Sequence, residues 1–90
     1  MPQVTPGRTV LYRLTEDDAR QITRRRTDSG VTGNFVSEGD RYPAVVVRIF
    51  AGNPADVCNL KVLLDGDDTY WATSRHEGTE PGTWAWPERV

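Results

Sequence analysis

Ninety residues with a formal net charge of −2, 37 % hydrophobic side chains, one cysteine and one histidine bound the answer before any motif is read. A chain this short folds as one domain, buries only about 60–65 % of its unfolded surface and leans on each large aromatic for stability. The near-balanced charge excludes a surface built throughout to hold duplex DNA, and Cys58 with His76 can neither close an internal disulfide nor complete an ordinary four-ligand zinc site.

The chain begins "MPQVTPGRTV", which lacks the charged-then-apolar layout of a secretory signal. No apolar run approaches the roughly 20 residues that cross a bilayer. A cytoplasmic location without membrane contact is therefore expected. "TVLYRL", Thr9 to Leu14, sets Val10, Tyr12 and Leu14 on one side of a first strand. Thr15 then has the chemistry of a helix N-cap, with Glu16, Asp17 and Asp18 in the first turn and Asp18 where a capping box carries its acid. Arg24, Arg25 and Arg26 suit the C-terminal end of the helix dipole before "TDSG", so the predicted helix spans 16–26. Its apolar face is only Ala19 and Ile22, enough to lie against a sheet but not to form a bundle.

"VTGNFVSEG", residues 31–39, reads as a loop with at most a short strand. "YPAVVVRIF", Tyr42 to Phe50, is a continuous β-branched run between turn signals and predicts a central strand. "CNLKVLLD", Cys58 to Asp65, alternates Leu60, Val62 and Leu64 against Asn59, Lys61 and Leu63; "DGDD" then turns the chain into "TYWATS". These three strands form a meander. After the polar "RHEGTEPG", the segment "TWAWP" predicts a last short strand with Trp84 and Trp86 on one face and Ala85 on the other. The expected fold is mainly β with one helix (α+β): a single domain of about five strands, strongly curved or a partly open barrel, the helix inserted after the first strand.

Two resemblances follow from these motifs. "GDRYPAVVVRIF" with "NLKVLLDGDDTYW" is similar to small SH3-like barrels of the Tudor and chromo-barrel sort, over Gly39 to Trp71. "LTEDDARQITRRR", "LDGDDTYWATSRHEG" and "PGTWAWPERV" resemble, over almost the whole length, short accessory proteins of actinobacterial phages and prophages. The second resemblance implies a phage or prophage accessory protein in the bacterial cytoplasm and brings no activity with it.

Positive charge is carried by ten arginines and one lysine, Lys61. Arginine grips phosphate in a fork and stacks on rings, although a G+C-rich genome raises its frequency without any functional cause. "DGDDTYWATSR" gathers Tyr70, Trp71 and Arg75, the side chains that flat anionic ligands require; the alternative is Trp71 in the core and aspartates shaping a turn. Trp84 and Trp86 act together as core, or as an aromatic wall open at its rim. Arg24 and Arg25 are phosphate-capable, although three consecutive arginines fan over some 200° and cannot all face one ligand. Asp65, Asp67 and Asp68 lack the loop length and distal Glu of a calcium loop, and no nucleophile motif surrounds His76.

The expectation is a non-enzymatic binding protein without cofactor or metal. Tyr70, Trp71, Arg75, Trp84, Trp86, Arg24 and Arg25 would take a small anionic, nucleotide-like ligand, such as an immune signal that the protein sequesters at a subunit junction of a homo-oligomer. Nucleic acid gripped by Arg24 to Arg26, and a virion or protein-interaction module, are the alternatives.

Overall fold

The structure, a computed structural model, describes residues 3–50 and 57–88. Its elements run β1 (Thr9–Arg13), α1 (Glu16–Ser29), β2 (Arg41–Ile49), β3 (Cys58–Leu63), β4 (Thr69–Arg75) and β5 (Trp84–Ala85). All pairings are antiparallel, in the order β4-β3-β2-β1-β5, so the β-branched β2 occupies the centre. The expected α+β class, the meander and the helix after β1 are all present. The sheet is not closed. Its two edges meet only where residues just past β4 bond to β5: Trp84 N donates to His76 O and Gly78 N to Trp84 O.

Strand parity sorts the side chains. Val10, Tyr12, Ala44, Val46, Leu60, Val62, Tyr70, Ala72 and Trp84 fill the inner face, and Ala19 and Ile22 of α1 join them in one buried cluster. The helix is held at both ends. Thr15 Oγ1 accepts from Asp18 N while the Asp18 carboxylate accepts from Thr15 N, and Gly30 leaves the helix in the left-handed conformation.

Several boundaries differ from the sequence expectation. The helix continues to Ser29 instead of ending at Arg26, because the Thr27 and Ser29 hydroxyls bond back to the carbonyls of Thr23 and Arg25 and stay within the helix. In the loop at 31–39 only Gly33 pairs, with Gly66. The two backbones pack so closely there that a Cβ on Gly66 would stand 2.5 Å from Gly33 Cα. Strand β5 keeps two residues of "TWAWP".

Candidate functional site

The sheet has two faces of opposite character, and the predicted site residues divide between them. On the inner face Asp18, 1 % exposed, is the hub. Its carboxylate accepts from Tyr12 Oη at 2.5 Å, Tyr70 Oη at 2.8 Å and Arg75 Nη2 at 3.4 Å, besides Thr15 N at 2.9 Å. The Arg75 guanidinium also lies over the Tyr12 ring, 5.5 Å from its centroid. Burial alone would push the Asp18 carboxyl up, but the Thr15 N–H, the two tyrosine hydroxyls and Arg75 outweigh it and hold it below the usual carboxylate range. Burial, and then the bond to Asp18, pushes the Tyr70 hydroxyl up to about 12 and moves Tyr12 in the same direction.

Tyr70 and Trp84 are therefore core residues, and neither offers a ring face to a ligand. Trp86 meets Trp84 edge-on at 5.6 Å and lies half-buried under Arg8, with the Arg8 guanidinium 5.2 Å from its ring. The expected shared face of the two tryptophans is present, with Trp84 as core and Trp86 as rim. Two buried donors, Trp84 Nε1 and Arg75 Nε, have no hydrogen-bond partner among the described residues.

The arginine run splits. Arg26 grips Asp68 bidentately at 2.9 Å and donates to Asn34 O, pinning the helix end to the β3–β4 turn. That pairing holds the Asp68 carboxyl low and the Arg26 guanidinium high. Arg24 and Arg25 remain exposed on the helix and share a groove with Gln21, Asp28 and Ser29, while the Arg25 guanidinium lies over the Tyr70 ring, 5.9 Å from its centroid. With Asp68 on Arg26 and Asp65 bonded to Asn34 Nδ2, two of the three "DGDD" carboxylates serve the fold. Among the described residues no group of three His, Cys, Asp or Glu side chains comes together as a metal would need.

The outer face is where the two readings of "TYWATS" part. Tyr70 pairs with Val62 and points inward; Trp71 pairs with Lys61 and points out, 57 % exposed. The core position weighed for Trp71 is corrected: two adjacent strand residues cannot share a face, and Tyr70 takes the inner one. Across the sheet the outer positions run Trp71, Lys61, Val45 and Thr9 in one row and Thr69, Leu63, Pro43, Leu11 and Ala85 in the next; beyond them Arg13 stands opposite Arg41. No strand contains a single Asp or Glu. A chain of net charge −2 thus presents a sheet face bearing Arg13, Arg41, Lys61 and an exposed indole with no carboxylate in its ladders. Poor β-propensity accounts for few acids in strands; the exposed indole stands opposite Lys61, with Arg13 and Arg41 at the far corner of the same face.

Sequence reasoning missed Arg13, Arg41 and Lys61, although parity with Tyr12, Tyr42 and Val62 sends all three outward. No protein family, curated protein or solved structure matches the chain. No helix among the described residues is long and apolar enough to cross a membrane.

Proposed function

We propose that the protein is a non-catalytic binding domain that takes a single-stranded nucleic acid across the outer face of its sheet. The observation that carries this is Trp71, exposed beside Lys61 on a face with cations and no carboxylate in its ladders. An indole stacks on any unpaired base, and cations that meet phosphates release counterions; together these two terms are what sequence-tolerant single-strand binding consists of. A duplex keeps its base faces stacked and offers Trp71 nothing. The free-nucleotide reading has less support, because the rings it needed are distributed over both sides of the sheet.

The test is a titration of a fluorescent single-stranded oligonucleotide. With two or three phosphates neutralised by Arg13, Arg41 and Lys61, affinity should fall about 7- to 20-fold between 50 and 200 mM salt. Trp71→Ala should weaken binding roughly 10-fold or more, and a duplex of the same sequence should compete poorly. Salt-insensitive binding, or equal binding by Trp71→Ala, removes this reading.

The apolar row Leu63, Pro43, Leu11 and Ala85 favours a second reading, a protein partner or a second copy on the same face. That reading takes over if no oligonucleotide binds while sedimentation gives a dimer that Trp71→Ala dissociates.

A further inference from the structure

At the corner of the outer face farthest from Trp71 lies a cleft of about 70 Å³, lined by Leu11, Arg13, Arg41, Thr79, Thr83 and Ala85 together with Gly78. In volume it matches two to three waters at roughly 30 Å³ each, the scale of one phosphate group. Arg13 and Arg41 are direct cross-strand partners, and like charges so placed destabilise a ladder. Neither has a carboxylate partner among the described residues. The one side-chain hydrogen bond the pair makes among the described residues is from Arg13 Nη1 to Gly39 O at 3.3 Å, which leaves most of ten guanidinium N–H donors for something else. Thr83 Oγ1 donates to Glu80 O, so its hydrogen is already taken and the cleft's side-chain N–H donors are those of the two arginines.

We propose that this cleft is a phosphate anchor, in which the Arg13 and Arg41 guanidiniums grip one phosphate of a strand whose base stacks on Trp71. This rests on the single-strand reading above and adds to it a span that follows from strand spacing and register. Trp71 lies three strands and two residue-pairs away from Arg13. At about 4.8 Å per strand and about 6.7 Å per residue pair the separation is roughly 20 Å. A strand rising about 3.4 Å per stacked nucleotide crosses that in about six, and a more extended one in about four, at the low end of site sizes for one small β domain. The site is thus two-ended, with arginines holding the backbone at one end and an indole holding a base at the other. A mononucleotide reaches one end only.

Two measurements test it. The first follows the arginine Nε–Hε resonances of the whole protein during titration with inorganic phosphate. Saturable shifts confined to Arg13 and Arg41 are expected; no shift, or one uniform over all arginines, overturns the anchor even if oligonucleotides bind. The second compares thymidine oligonucleotides of about two to about ten residues. Affinity should step upward between about four and six residues and then level off, and the double variant Arg13→Gln/Arg41→Gln should lower the log–log salt slope by about 0.7 and flatten the step. Phosphate shifts at Arg13 and Arg41 without oligonucleotide binding at any length would overturn the two-ended site and the single-strand reading together, leaving an anion cleft. Oligonucleotide binding without a length step would overturn the span alone.

Discussion

The two faces of one sheet treat charge in opposite ways. Inside, one carboxylate, Asp18, answers two tyrosines, an arginine and a backbone N–H. Outside, Arg13 and Arg41 stand side by side with no carboxylate partner among the described residues. The contrast separates polar groups that hold the fold from cations without a counter-charge inside it, and it makes tryptophan an informative probe, since Trp84 sits on one face and Trp71 on the other.

The largest effect is expected from Trp84→Ala. Removing a ring that is 1 % exposed from a small core costs about 3–5 kcal/mol, against a total of roughly 5–13 kcal/mol for a chain of this size; the urea midpoint should fall by about half. Asp18→Asn comes next. An amide keeps one carbonyl where two carboxylate oxygens accepted four bonds, so buried tyrosine hydroxyls lose partners and stability should drop about 2–4 kcal/mol. Retention of the wild-type midpoint would mean that the tyrosines find other acceptors and the hub does not organise the inner face.

Titration gives a smaller, signed effect. The Asp18 carboxyl is held below its ordinary 3.8, so its contribution is complete above about pH 4 and is lost as pH falls through the folded value. The Tyr70 hydroxyl is raised from 10.0 to about 12, so its contribution is complete below about pH 10 and fades between there and about 12. Thermal midpoints across both windows should fall at each end, and Asp18→Asn should shrink the acid component to the part carried by Asp68. The smallest stability change belongs to Trp71→Ala, within about 0.5 kcal/mol. Unfolding of that variant would place Trp71 among the structural residues and abolish the distinction between the faces.

Local pattern carried the helix start, the central strand and the inner alternation of Val10, Tyr12 and Leu14, because each depends on neighbours within one turn or one strand. Asp18 was half legible. Its capping bond to Thr15 is three residues away, whereas its tyrosine partners lie 6 and 52 residues off, where only the fold connects them. "TYW" offered two aromatics for one inward position, and the choice waited on the register that sets Val62 opposite Tyr70. The Arg13–Arg41 pairing joins residues on either side of a helix, with no signal in either strand. "AGNPAD", residues 51–56, the turn signal that follows the β-branched run, lies outside the described residues.

Because Asp18 belongs at once to the first turn of α1 and to the bonds that reach β1 and β4, the helix start has no separate opening motion available to it. Unwinding that turn swings the carboxylate away from Tyr12, Tyr70 and Arg75 together, and parting β4 from the core strips the cap from the helix. In hydrogen-exchange terms, amides of the helix start and of β4 are expected to share one cooperative opening.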